Sequence, residues 1–233
     1  MKANVYIIAA TIAALAVSCL GEGGDRIKIG NYPGVAARHG DSTFIYLKGR
    51  EKVYAASGAN SLNPDDCLLI DFMLDYSRPE NADSGRIKGF LTIELQKAVP
   101  VERHTLLNAA TDTSQALPAE RTLLSVLAQH AFIRNKFFLF TTHPTDSLPL
   151  QFNLYCDPAS PKTNGAYDLY LRIIPRSDGA VASEPATIVN AFAMDMLSSR
   201  EPDSLFFRIH YPTRINAGIS WGTTGEFRFP VGN

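Results

Sequence analysis

Apolar and polar residues alternate strictly along parts of this chain, and that period limits what it can fold into more than any other feature. Tyr167, Leu169, Leu171 and Ile173 make one apolar face against Asp168, Tyr170 and Arg172. Leu205, Phe207, Ile209 and Tyr211 repeat the pattern against Phe206, Arg208 and His210. Successive side chains of a strand point to opposite faces, so each segment has one side for a core and one for water. Further strands are expected at 129–133, 136–142, 150–156, 186–196 and 225–229, with the first two turning at Arg134-Asn135. Six or seven such strands joined by Pro, Gly and Ser loops make an antiparallel β-sandwich, placed at 126–233.

The earlier part of the chain reads as shorter strands. Residues 35–39 and 42–48 flank His39-Gly40-Asp41, 52–56 follow, and Asn63-Pro64-Asp65-Asp66 turns the chain into a long strand over 67–76. A further strand is expected over 86–101. Five strands in about seventy residues suit a small closed barrel of the OB type at 26–104. Residues 105–125 read as a linker with room for a short helix, opening at Pro118-Ala119-Glu120-Arg121 and holding Leu123, Leu124 and Leu127. The expected fold class is therefore all-β, an N-terminal OB-like barrel followed by a sandwich.

The first nineteen residues speak to location. Lys2 precedes a run over 5–17 that is almost wholly apolar and ends at Ser18-Cys19. A membrane-crossing helix needs about 20 apolar residues, so residues 1–18 read as an export signal. Leu15-Ala16-Val17-Ser18-Cys19 resembles a bacterial lipobox, with Ala16 where leucine is usual and Leu15 one place early. That resemblance implies acylation of Cys19 and a membrane anchor, since each buried methylene contributes about 0.8 kcal/mol. Residues 19–25 are then a tether, Gly-rich and flexible. The expected location is the cell envelope, at the outer membrane. The plainer alternative is ordinary signal cleavage with Cys19 incidental.

Two segments carry a family resemblance. Asn63-Pro64-Asp65-Asp66-Cys67-Leu68-Leu69-Ile70-Asp71-Phe72 turns into a long apolar strand, and Ala131-Phe132-Ile133-Arg134-Asn135-Lys136-Phe137-Phe138-Leu139-Phe140 opens the second domain. Tyr167-Asp168-Leu169-Tyr170-Leu171-Arg172 is a third point of likeness. In these and in layout the chain resembles the NigD-like family of bacterial envelope lipoproteins. The resemblance implies a lipidated cysteine, an OB-like domain and a sandwich, without a reaction, and it raises an immunity-like or accessory role.

Lys and Arg number 22 against 23 Asp and Glu, so no charge excess is available to hold a polyanion, and nucleic acid is not an expected partner. Gly218-Ile219-Ser220-Trp221-Gly222 fits a nucleophile-elbow spacing, yet neither His nor Asp follows to complete a triad of that order, and a loop beside a late strand is the expected structure. His39, His104, His130, His143 and His210 are scattered without metal-ligand spacing and read as loop or strand-surface residues, His143 in a loop before Pro144. Cys67 and Cys156 lie in apolar strands of different domains and read as buried free thiols. No catalytic, cofactor or metal residue is assigned, and the chain reads as a non-enzyme.

Binding is the remaining class. An OB-type barrel commonly offers its second and third strands, where Phe44, Tyr46 and Tyr54 lie, half of them expected to turn into the core. On the sandwich Tyr155, Tyr170, Arg172, Arg208 and His210 are placed to share a face, although outward strand residues with ordinary cross-strand pairing would look the same. The candidate contacts are Tyr46, Tyr54, Tyr170, Arg172, Arg208 and His210, and the expected partners are the membrane, through the anchor, and an envelope protein or glycan. The alternatives are a secreted glycan- or peptide-directed hydrolase and a structural subunit of an envelope assembly. Acylation is directly checkable. Expressed in its host with labelled palmitate, the wild-type chain should take up label and sediment with membranes, whereas Cys19→Ala should do neither.

Overall fold

The structure is a computed structural model and describes residues 25–55, 57, 59, 61–81, 89–108, 122–143, 150–160, 162–175, 186–201, 203–215 and 218–231. The export signal, Cys19 and the tether up to residue 24 lie outside the described residues. So do 109–121, where the linker helix was expected to open.

Five strands, β1 (Arg26–His39), β2 (Ser42–Leu47), β3 (Lys52–Ala55), β4 (Cys67–Asp75) and β5 (Leu91–Pro100), close into a barrel in the order β1-β2-β3-β5-β4. The β3–β5 pair is parallel and the others antiparallel. Ala36, Ile45, Leu47, Val53, Leu68, Ile70, Phe72 and Ile93 fill it. Gly40 takes a positive φ of 58° in the β1–β2 turn, the conformation glycine adopts without steric penalty. Strand β1 starts at Arg26, well before Gly34. A register shift between Ile29 and Tyr32, with Asn31 at φ 52°, breaks the alternation that would have shown its first half.

The remaining strands are β6 (Glu102–Thr105), β7 (Leu107–Asn108), β8 (Ser125–Val126), β9 (Ala131–Ile133), β10 (Lys136–His143), β11 (Leu150–Cys156), β12 (Tyr167–Pro175), β13 (Ala186–Ala193), β14 (Ser204–Ile215), β15 (Gly218–Thr223) and β16 (Phe227–Pro230). One sheet runs β6-β13-β10-β8 with β9 on β10, and the other β15-β14-β12-β11-β7 with β16 on β14. Helix α1 (Asp195–Ser198) follows β13, which stops at Ala193, short of the 196 expected. Three pairings in the sandwich are parallel, β6–β13, β7–β11 and β12–β14. For β12 and β14 the reason is the path: the chain crosses to the other sheet as β13 and returns in the original direction.

Several boundaries differ from the sequence reading. Glu102 to His104 were placed in the barrel, but β6 pairs with β13. The chain leaves the barrel at Val101, whose N–H donates to Cys67 O at 2.8 Å. Leu123, Leu124 and Leu127, expected in a short helix, are not helical. Their N–H groups donate to Pro212 O, Thr142 O and Phe140 O, each at 2.9 Å, across to neighbouring strands. Gly218 to Gly222, expected in a loop, is strand β15 instead. Gly222 lies opposite Tyr211, where a Cβ would come within 2.9 Å of Tyr211 Cζ. The glycine makes room for a ring, and no elbow forms.

Strand β10 is buried on both faces. Phe137 and Leu139 enter the sandwich core with Phe152, Leu169 and Phe207. Phe138 and Phe140 face the other way and pack with Val35, Cys67, Val101 and Ala191, joining sandwich to barrel. The β9–β10 turn is Arg134-Asn135 at φ 47° and 59°, the pair of positive values of a two-residue I′ hairpin. Truncating Phe138, fully buried at the junction, to Ala should lower stability by about 3–5 kcal/mol. Leu124→Ala, 58% exposed, should change it by less than about 0.5 kcal/mol. Urea unfolding followed by fluorescence checks both.

Candidate functional site

The outward face of the six-stranded sheet gathers four of the six candidate contacts. Alternation turns Asp168, Tyr170 and Arg172 outward from β12, and Arg208 and His210 outward from β14. The parallel register then sets Asp168 beside Arg208 and Tyr170 beside His210. His210 stacks on Tyr170 with ring centroids 4.8 Å apart and planes 18° apart. Trp221, from β15, meets Tyr170 edge-on at 6.0 Å, and the Arg172 guanidinium lies 6.0 Å over the Trp221 ring. Tyr155 opposes Tyr170 from β11.

Asp168 ties this face together. Arg208 donates to it through Nε at 2.5 Å and Nη2 at 3.3 Å, Thr163 Oγ1 donates at 2.9 Å, and His210 Nε2 lies 2.8 Å from Oδ1. Burial alone would raise the Asp168 carboxyl, but hydrogen bonds from Arg208, His210 and Thr163 outweigh it and hold the group down at about 2. The same contact raises Arg208, through its hydrogen bond to Asp168. With His210 Nε2–H donating to Asp168, Nδ1 is left to accept from Thr223 Oγ1, 3.0 Å away.

An acid, an imidazole and a hydroxyl thus stand in line. Hydrolysis would also need donors aimed at a developing oxyanion and a walled pocket. These groups instead project from the open face of a sheet, with Thr223 exposed. What the arrangement does is fix side chains, since each is held by the next. Sequence reasoning found Tyr170, Arg172, Arg208 and His210 by parity. It assigned no role to Asp168, and it met Trp221 only inside the elbow spacing.

Tyr46 and Tyr54 lie elsewhere, on the barrel. Phe44, Tyr46 and Tyr54 all point outward, correcting the expectation that half would enter the core. Residues 44 and 46 share a parity, and Tyr54 is paired directly with Phe44. The Phe44 ring lies 5.5 Å from Tyr54 and 5.2 Å from Phe90, with Lys52 Nζ 4.9 Å over it. Tyr46 is drawn to the domain junction. Its hydroxyl lies 3.0 Å from His39 Nε2, and the Arg134 guanidinium covers its ring at 4.7 Å.

The other reactive side chains have structural surroundings. His143, expected in a loop, ends β10 and is 1% exposed, with Nε2 2.9 Å from Thr141 Oγ1. Burial pushes its pKa down to about 4. Cys67, at the domain junction, and Cys156, in the sandwich core, are buried and unbridged. Burial pushes the two thiols up to about 11 and about 12, which keeps them protonated and unreactive at neutral pH. Among the described residues, no group of three or more His, Cys, Asp and Glu could hold a metal ion. No helix among them is long and apolar enough to cross a membrane.

Residues 24–99 match the family described as lipoprotein OB domain. Among solved structures, the chain is similar to an uncharacterized protein from Parabacteroides merdae, at 21% identity and a TM-score of 0.70, over 89% of this chain and 100% of that one. It is similar to a protein of unknown function from Bacteroides vulgatus, at 12% identity and a TM-score of 0.59, over 88% of this chain and 92% of that one. A NigD-like immunity protein from Bacteroides caccae shares the fold at 13% identity and a TM-score of 0.53, over 86% of this chain and 95% of that one. No curated protein matches. The likeness expected from sequence is thus found in the fold, which a NigD-like immunity protein shares, and in the barrel, which matches a lipoprotein OB domain. The family description implies an exported, membrane-anchored envelope protein.

His143 makes the fold sensitive to acid in a stated direction. Its folded pKa of about 4 lies below the ordinary 6.5, so the unfolded chain takes up the proton first as pH falls. The stabilisation is complete above about pH 6.5 and is lost progressively toward pH 4, by up to about 3 kcal/mol. Urea midpoints of the wild type should therefore fall more steeply across that window than those of His143→Gln.

Proposed function

We propose that this chain, whose barrel matches a lipoprotein OB domain, is held at the outer membrane by acylated Cys19 and acts there by binding a protein partner through the outward face of its six-stranded sheet. The observation that carries the reading is the grouping of Trp221, Tyr170, Arg172 and His210 on one face of the sheet, with His210 held by Asp168. Trp, Tyr and Arg dominate the energetics of protein interfaces, because each presents a large rigid surface with a polar end. Side chains already fixed by neighbours lose little further freedom on binding. Confinement by an acyl anchor raises the local concentration beside other envelope components, so a weak contact suffices. The shared fold with a NigD-like immunity protein supports a role in which binding itself is the activity. The reading is non-enzymatic.

A photo-crosslinking residue placed at Ile219, which is 43% exposed and leaves β15 on the same side as Trp221, should capture one discrete protein in intact cells, and Tyr170→Ala or Arg172→Ala should weaken capture about tenfold or more. A crosslinker at exposed Lys97 on the barrel should not capture the same protein. Binding to a glycan panel that depends on the same side chains, without protein capture, would make the ligand a glycan. Hydrolysis abolished by His210→Ala would replace the proposal with the hydrolase reading.

A further inference from the structure

A second, separate feature lies where barrel meets sandwich. The one-turn 3-10 helix Lys48–Arg50, after β2, faces the end of β9, the β9–β10 turn and strand β16 across a cleft of about 370 Å³. Its wall is made by Lys48, Gly49, His130, Phe132, Asn135, Arg228, Phe229 and Pro230. From this lining we infer that the cleft is a binding site for a small organic anion of sugar size, carrying a carboxylate or a phosphate.

Charge is the first reason. Lys48 comes from the barrel and Arg228 from the sandwich, and no carboxylate is among the described lining residues. The whole chain is balanced in charge, so a cleft with two permanent cations and no acid departs from its average. A cation pair in a partly enclosed site gains most from an anion, because screening is weaker there than on an open surface.

Shape is the second. Phe132 stacks on Phe229 at 5.1 Å and 16°, giving the cleft a flat apolar wall, and His130 meets Phe229 edge-on at 5.7 Å. A volume in the range of ordinary ligand sites, with a flat wall and charge at the rim, fits a ring-shaped molecule bearing one anionic group. His130 borders the same wall, its ring packed edge-on against Phe227 at 4.5 Å and its Nδ1 enclosed without a hydrogen-bond partner. Lys48 Nζ donates to His130 O at 3.4 Å, so the two domains already touch at the point where the ligand would sit.

The cleft shares no residue with the Trp221, Tyr170, Arg172 and His210 group, although the Arg228 guanidinium at its rim also covers the ring of Phe206 at 4.7 Å. Its test uses the purified full chain with glucuronate, glucose 6-phosphate, inorganic phosphate and neutral glucose as probes, followed by calorimetry and by the histidine ring signals in NMR. Burial and the nearby Lys48 charge lower the pKa of His130; a bound anion opposes the second of these, so its ring should titrate at higher pH when the probe is present. At least one anionic probe should bind with Kd below about 1 mM, and Lys48→Ala and Arg228→Ala should each weaken binding about tenfold. Glucose should not bind, and Tyr170→Ala should leave anion binding unchanged. Binding of glucuronate alone assigns a carboxylate ligand, and binding of glucose 6-phosphate with inorganic phosphate assigns a phosphate one. No binding by any anionic probe, or equal binding to the Lys48→Ala/Arg228→Ala double variant, overturns the inference.

Discussion

Strand β10 has no solvent face, and the rest of the molecule is arranged around that constraint. Phe137 and Leu139 serve the sandwich core, while Phe138 and Phe140 serve the junction with the barrel. Burying a phenylalanine contributes about 1.5–3 kcal/mol by transfer alone, so one strand supplies much of the apolar binding for two interfaces. The pleat makes this unavoidable: residues of opposite parity must leave in opposite directions. The barrel answers with Val35 and Cys67, from the two strands that close it, and with Val101, where the chain departs for β6. Barrel and sandwich therefore share a core cluster, and the cleft between the Lys48–Arg50 turn and β16 takes its shape from that packing.

The strand itself was legible in its apolar run, but its burial on both faces was not read from the lack of alternation. An uninterrupted apolar run such as Phe137-Phe138-Leu139-Phe140 is what a strand covered on both sides requires. Where one face is wet, as at Tyr167 to Ile173, alternation was equally plain. The Arg134-Asn135 and Gly40 turns were legible from their spacing. The elements missed were short or irregular. β6, β7 and β8 span four, two and two residues, too few for a period, and they are held by backbone hydrogen bonds to longer neighbours. The start of β1 was hidden by its bulge, and β15 by two glycines, of which Gly222 answers to the Tyr211 ring rather than to a turn.

The candidate face was half legible for a related reason. Parity says which side chains leave the same side of one strand, and it found Tyr170 with Arg172, and Arg208 with His210. It does not say which strands are neighbours. That β12 and β14 lie side by side and parallel follows from the excursion of β13 into the opposite sheet, and no local signal marks that crossover. Without it, Asp168 is one more outward acid on a strand. With it, the carboxylate lies against Arg208 and His210 at once.

The value of that carboxylate lies in rigidity more than in stability. Asp168, Arg208 and His210 are partly open to water, and ion pairs in such places contribute little net free energy. Yet the Asp168 contacts leave Arg208 and His210 few alternative rotamers, and His210 in turn supports the Tyr170 ring, against which Trp221 stands on edge. A surface aromatic would ordinarily lose side-chain freedom when a partner covers it. On this face much of that loss is incurred on folding, where the large sandwich core offsets it. A contact patch built this way gains affinity without needing a deep pocket, as a flat sheet face requires.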